Sequence, residues 1–136
     1  MELAFDYYVM KKSNKKILIV DEAGFSRICA AILEKEGFGT NAVSDVRQLG
    51  TKINYEDIGL VITSYPYGAV LFDKLIDTRI PTIILSDFMN RDLMATLDHF
   101  DKTISHCMIK PLDYHKFRNL VNQVMRRDIK GAGQLA

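Results

Sequence analysis

Four short apolar segments of this 136-residue chain end on side chains whose types could bind ions. The residues that follow the segments are acidic, hydroxylated or basic: Asp21-Glu22, Thr63-Ser64, Ser86-Asp87 and Lys110-Pro111. Carboxylates are ligands that Mg²⁺ prefers, while hydroxyls and a lysine ammonium can contact the oxygens of an anion. Brought together, these side chains would form a polar site for a cation or an anion.

The apolar segments decide whether these polar side chains meet. Segments 17–20, 60–62, 82–85 and 107–109 are short and almost wholly apolar. That pattern predicts strands buried on both faces, as in a parallel sheet covered by helices. The carboxyl ends of parallel strands lie at one edge of a sheet, where open α/β sheets hold their sites. The sequence therefore predicts that the polar residues share one crevice.

Strand and helix patterns alternate five times along the chain. The predicted strands are 17–20, 38–43, 60–63, 82–85 and 106–109. The first predicted helix carries an apolar stripe over 25–33 and is ended by Gly37, and the fourth is capped by Asn90 and carries apolar residues over 93–100. The other predicted helices cover 46–53, 69–76 and 114–127. Right-handed crossovers between such units predict an α/β fold, a flavodoxin-like five-stranded parallel sheet of order 2-1-3-4-5 with helices on both faces. Ile28 is expected in the core because it belongs to an apolar stripe at helical spacing. Four methionines are also expected there, because their flexible side chains fill irregular space: Met89, Met94, Met108 and Met125.

The repeating pattern also divides the chain. Residues 16–128 are interpreted as one domain, which agrees with the chain length. Residues 1–15 do not fit the pattern and are interpreted as an N-terminal extension that forms an extra strand or a short helix. Residues 129–136 are mostly small and are predicted to be a mobile tail.

The overall composition weighs against several functions. Eighteen basic and seventeen acidic residues give a net charge of +1, so nucleic-acid or membrane-surface binding is not expected. No apolar stretch approaches the about 20 residues of a membrane span. Two cysteines are too few for a disulfide framework, so packing roles and a reducing, cytoplasmic location are predicted.

Three of these motifs, in this order, resemble a known family. Segments 16–22, 83–86 and 109–111 are similar to the receiver domain of two-component response regulators, and the resemblance extends over residues 15–128. In that family an acid pair after the first strand holds Mg²⁺, and an aspartate that ends the third strand accepts a phosphoryl group from a histidine kinase. A hydroxyl that ends the fourth strand and a lysine before a proline contact the phosphoryl oxygens. The resemblance assigns these roles to Asp21 and Glu22, to Ser86, and to Lys110, with a cis peptide before Pro111.

The chain departs from the family pattern at the phosphoacceptor. Ser64 stands where the aspartate belongs, Asp87 replaces a small residue, and Cys107 stands where an aromatic residue is common. A serine hydroxyl is uncharged at neutral pH and needs a base to act as a nucleophile. The substitution also removes a metal ligand, so no cofactor is expected to be required. Asp21 and Glu22, together with the Pro66 carbonyl, predict at most weak Mg²⁺ binding. The acids could instead serve as partners for Lys110 or as caps of the following helix.

We therefore interpret the sequence as an atypical, receiver-like module without enzymatic activity. The predicted function is a phosphorylation-independent protein interaction in bacterial two-component phosphorelay signalling. The resemblance implies that a signalling partner would bind the face formed by the fourth predicted helix, the fifth strand and the fifth helix. Formation of a homodimer is left open.

Two other functions are weighed against this interpretation. The domain could accept a phosphoryl group on another carboxylate, for which Asp87 is the nearest candidate. Alternatively, Ser64 and Lys110 could form the serine–lysine pair of a hydrolase. The loop Tyr65-Pro66-Tyr67-Gly68 is interpreted either as a contact surface or plug over the crevice or as a simple turn.

Overall fold

A five-stranded parallel sheet forms the centre of the chain in a computed structural model that describes residues 15–45, 47 and 54–126. The strands are β1 (Lys16–Val20), β2 (Thr40–Val43), β3 (Ile58–Ser64), β4 (Thr82–Ser86) and β5 (Ser105–Ile109). Their order is β2-β1-β3-β4-β5, and every neighbouring pair is parallel. This confirms the predicted fold class and strand order.

Four α-helices lie in the described part of the chain. They are α1 (Ala23–Lys35), α2 (Phe72–Thr78), α3 (Arg91–Leu97) and α4 (Tyr114–Met125). A 3-10 turn at Ala69–Leu71 leads into α2, so the third predicted helix is a turn followed by a short helix. The fourth and fifth predicted helices correspond to α3 and α4. The second predicted helix, over 46–53, lies outside the described residues except for Arg47.

Apolar side chains cover both faces of the sheet, which explains why its inner strands are almost wholly apolar. Along β1, Ile17 and Ile19 pack on the face covered by α1 and α4. Leu18 and Val20 pack on the opposite face, against α2 and α3. Each fully buried side chain of this size stabilises the fold by about 1.5–3 kcal/mol relative to an exposed one. The core therefore holds the sheet rigid and fixes its carboxyl edge.

Local polar groups define where the helices begin and end. The Asn90 side chain accepts a hydrogen bond from the Leu93 N–H at 2.8 Å, which confirms it as the cap of α3. Asp113 caps α4 in the same way. Gly37 has a φ of 94° just after α1, a left-handed conformation that favours glycine and ends the helix as predicted.

Three residues that were expected in the core are exposed. Met94 and Ile28 are each 55% exposed, and Met89 is exposed in the connection between β4 and α3. Successive helical residues point about 100° apart, so a helix that buries Leu93 or Cys29 turns its chain neighbour outward. Met108 is half-buried and Met125 is buried, as predicted.

The predicted terminal segments lie largely outside the described residues. Of the extension 1–15 only Lys15 is described, and the tail 129–136 is not. Within the described ranges, no helix has the length and apolar character needed to cross a membrane.

Candidate functional site

The carboxyl ends of the strands form one edge, and the predicted site residues lie along it. Val20 at the end of β1 pairs with Val43 of β2 and with Thr63 of β3, and Ser86 of β4 pairs with Ile109 of β5. The Lys110 N–H donates to the Ser86 carbonyl at 2.7 Å, which ties the residue after β5 to the same edge. The register thus brings together the residue after β1, the last residue of β3 and the residue after β5.

Asp21 is the buried charge at the centre of this edge. Only 2% of the residue is exposed. Its Oδ1 accepts hydrogen bonds from the Ser64 hydroxyl at 2.9 Å and from the Glu22 N–H at 2.8 Å. Its Oδ2 lies 3.4 Å from the Lys110 Nζ. A carboxylate persists in such a buried place only when it is paired and hydrogen-bonded, and here both oxygens are.

Lys110 provides the positive charge that balances Asp21. Its side chain is 26% exposed, and its Nζ lies 4.5 Å from the centre of the Phe25 ring. The ring face adds a cation–π attraction to the ion pair. The two charges and the ring form a compact, electrically neutral group.

Ser64 ends β3 and is 5% exposed. Its hydroxyl donates to Asp21 Oδ1, and the Lys110 ammonium faces Oδ2 of the same carboxylate. Asp21 therefore contacts both Ser64 and Lys110. Thr63, the other hydroxyl of this strand end, donates to the Val20 carbonyl at 2.9 Å and so binds β3 to β1. Ser64, not Thr63, is the hydroxyl that reaches the acid.

The remaining predicted site residues do not join this group of contacts. Ser86 is buried, and its hydroxyl donates to the Phe88 carbonyl at 2.7 Å within the turn after β4. Glu22 and Asp87 are exposed. Glu22 occupies the cap position of α1 without a side-chain cap hydrogen bond, so the alternative interpretation of this acid as a helix cap is wrong for Glu22. The predicted cis peptide between Lys110 and Pro111 is present.

The Asp21 oxygens, which the resemblance assigns to Mg²⁺, have other partners in this arrangement. Magnesium requires several oxygen ligands in near-octahedral geometry. Both Asp21 oxygens accept hydrogen bonds or face an ammonium, and the Pro66 carbonyl accepts from the Ala69 N–H at 3.1 Å. Within the described ranges, no three His, Cys, Asp or Glu side chains are grouped as metal ligands.

The two cysteines behave as packing residues. Cys29 is buried on α1, and desolvation, reinforced by the negative charge of Asp21, raises the pKa of its thiol to about 12. Burial also raises the pKa of Cys107. A raised pKa keeps both thiols protonated at neutral pH, so neither supplies a thiolate nucleophile to the site.

Five exposed apolar side chains lie on or next to α3, β5 and α4. We call this group the α3–β5–α4 patch, and it consists of Phe88, Met89, Met94, Ile109 and Tyr114. The Met89 Sδ lies 4.0 Å from the Cys107 Sγ, which places the β4–α3 connection against β5. Sequence reasoning missed most of this exposure because methionines serve equally well as core residues.

Three solved structures illustrate what this chain resembles. The non-phosphorylated HemR receiver domain from Leptospira biflexa has a TM-score of 0.68 at 13% identity, over 82% of this chain and 94% of that one. A CheY-like receiver domain from Methanospirillum hungatei has a TM-score of 0.67 at 16% identity, over 88% and 99%. A receiver domain from Clostridium thermocellum has a TM-score of 0.66 at 21% identity, over 84% and 96%.

No protein-family model and no curated protein matches the sequence. The structural likeness at these identities establishes the fold, which is that of response-regulator receiver domains.

Proposed function

We propose that this chain is a receiver-type domain that has lost its phosphoacceptor and acts as a phosphorylation-independent interaction module in bacterial two-component signalling, in the cytoplasm. The observation that carries the proposal is the Ser64 hydroxyl at the end of β3, which donates to Asp21 at 2.9 Å. A receiver domain needs a carboxylate at that position. The shared fold supports the assignment to receiver domains. The sequence resemblance adds to it, since it assigns family roles to Asp21, Ser86 and Lys110.

The chemistry of the crevice supports a role without phosphoryl transfer. An aspartate attacks a phosphoryl donor directly, whereas a serine must first give its proton to a base. Asp21 is the adjacent carboxylate, and its charge is already balanced by Lys110. We propose accordingly that the module is not an enzyme and that it requires no metal.

The α3–β5–α4 patch is the proposed output surface. Methionines and aromatic residues are enriched where proteins meet, and this patch combines Phe88, Met89, Met94 and Tyr114. A signalling protein with a complementary apolar surface is the proposed partner. A second copy of this chain could occupy the same surface as a homodimer.

Binding to purified signalling proteins, histidine kinases and response regulators, tests this function. We expect the affinity to be the same before and after treatment of the chain with acetyl phosphate and Mg²⁺. Met94→Glu should weaken binding at least about tenfold, because a charge would be buried in an apolar contact. Val70→Glu changes another exposed apolar residue, outside the patch, and serves as the matched control.

Two results would contradict this proposal. The first is binding that appears only after phosphoryl treatment, and the second is an equal loss of binding in both variants. Sedimentation of Met94→Glu and the unaltered chain reports separately whether the patch joins two copies. Labelling of the chain by a serine-directed fluorophosphonate probe, abolished in Ser64→Ala, would favour the hydrolase alternative instead.

A further inference from the structure

The loop between β3 and α2 is joined to the end of β2 by one side chain. The Tyr67 hydroxyl donates a hydrogen bond to the main-chain carbonyl of Ser44, which directly follows β2. The two residues are 23 positions apart in the chain. The contact therefore links two loops at the carboxyl edge of the sheet.

The strand order determines what lies beneath this link. In the sheet β1 lies between β2 and β3, so the ends of β2 and β3 are not neighbours. A side chain that reaches from one to the other passes the carboxyl end of β1, where Asp21 follows Val20. The near-complete burial of Asp21 and Ser64 agrees with a covering group at this place.

The loop that carries Tyr67 is anchored on both sides of it. Before it, the Tyr65 ring stacks on Phe72 of α2 with 6.3 Å between ring centres. After it, the Gly68 N–H donates to the Ser64 carbonyl at 2.7 Å. A Cβ at Gly68 would overlap the Thr63 hydroxyl, so only glycine lets the loop fold so closely onto β3. These anchors hold Tyr67 in position toward β2.

We propose that Tyr67 is a strap that closes the crevice over Asp21 and Ser64. The strap shields the Asp21 carboxylate and the Ser64 hydroxyl from solvent without a metal or a phosphoryl group. This proposal does not depend on which protein binds the α3–β5–α4 patch.

Thiol labelling measures the closure at the position beneath the strap. Ser64→Cys introduces a thiol of similar size, and Cys107→Ser removes the half-buried competing thiol. Iodoacetamide should alkylate the introduced thiol slowly. Tyr67→Phe in this background removes only the bonding hydroxyl, and loss of one net hydrogen bond should accelerate labelling about fivefold. Tyr65→Phe, a hydroxyl deletion in the same loop, is the matched control and should leave the rate unchanged.

The buried Cys29 distinguishes local opening from general loosening. Its labelling should stay slow in every variant, because it lies on the buried face of α1 in the core. Equal labelling rates in the Tyr67→Phe and Tyr65→Phe variants would overturn the strap. Parallel acceleration at position 64 and at Cys29 would also overturn it, since the whole domain would then be opening. Partner binding is not part of this measurement, so the proposed function is judged separately.

Discussion

The charge balance around Asp21 depends on the residue type at position 64. With Ser64 the group contains one negative and one positive charge, and the hydroxyl completes the hydrogen bonds of the carboxylate. An aspartate at that position would place two buried carboxylates beside a single lysine. Like charges at this distance disfavour each other unless a cation lies between them. The serine is thus compatible with a closed crevice that holds no metal.

Removal of the Lys110 charge should show how much its pairing with Asp21 contributes to stability. In Lys110→Met the buried Asp21 loses its charged partner, and we expect the free energy of unfolding to fall by about 2 kcal/mol. Lys102→Met removes an exposed lysine that lies 3.8 Å from Asp98, and it should change stability by less than about 0.5 kcal/mol. Urea unfolding measures both.

A double variant separates the lost charge pair from lost packing. Asp21→Asn combined with Lys110→Met should be more stable than Lys110→Met alone, because no unpaired charge then remains buried. Equal destabilisation by the substitutions at Lys110 and Lys102 would contradict a structural role of the pair.

The buried thiol of Cys29 should make the free energy of unfolding depend on pH in the alkaline range. The folded chain holds the pKa of this thiol at about 12, above the ordinary value of 9.0. Between these values the unfolded chain loses the proton and the folded chain keeps it, so stability falls as the pH rises. The slope due to this residue reaches at most about 1.4 kcal/mol per pH unit. Urea midpoints of the unaltered chain should fall more steeply than those of Cys29→Ala, and parallel curves would argue against a buried thiol.

At the scale of elements, the loop from Tyr65 to Gly68 depends on its glycine. Gly68→Ala would force the Thr63 hydroxyl away and break its 2.9 Å hydrogen bond to the Val20 carbonyl. We expect a loss of about 1–3 kcal/mol in the free energy of unfolding. Gly24→Ala, within α1 and without a neighbouring atom within 4 Å of the new Cβ, should stabilise the chain by up to about 1 kcal/mol. Thermal unfolding compares the stabilities of the two variants. An unchanged stability of Gly68→Ala would mean that the loop is not packed closely on β3.

The strands and the contacts between their ends could be predicted from the sequence, whereas the contacts between loops could not. The strands and their order could be predicted because apolar runs such as Ile17–Val20 are buried on both faces and crossovers are right-handed. The meeting of Asp21 and Lys110 follows from that topology, since both residues come directly after strands. The contact of Tyr67 with Ser44 could not be predicted, because it depends on the path of two loops across β1. The exposure of Met94 also escaped prediction, since its apolar character does not reveal which way a short helix turns it.

At the scale of the whole molecule, the sheet carries a polar crevice at one place and an exposed apolar patch at another. Its carboxyl edge carries the neutral group of Asp21, Ser64 and Lys110, and the edge strand β5 borders the α3–β5–α4 patch. A phosphoryl switch would connect the two by changing the charge in the crevice. With a serine at the end of β3, the patch would present one constant surface to its partner.

Intact-mass spectrometry after incubation with acetyl phosphate and Mg²⁺ measures directly whether the chain can accept a phosphoryl group. We expect the mass of the chain to remain unchanged, because the carboxylate nucleophile is missing at position 64 and Asp21 is paired with Lys110. A single added phosphoryl group that hydroxylamine removes, and that disappears in Asp87→Asn, would contradict this expectation and make the chain a working receiver.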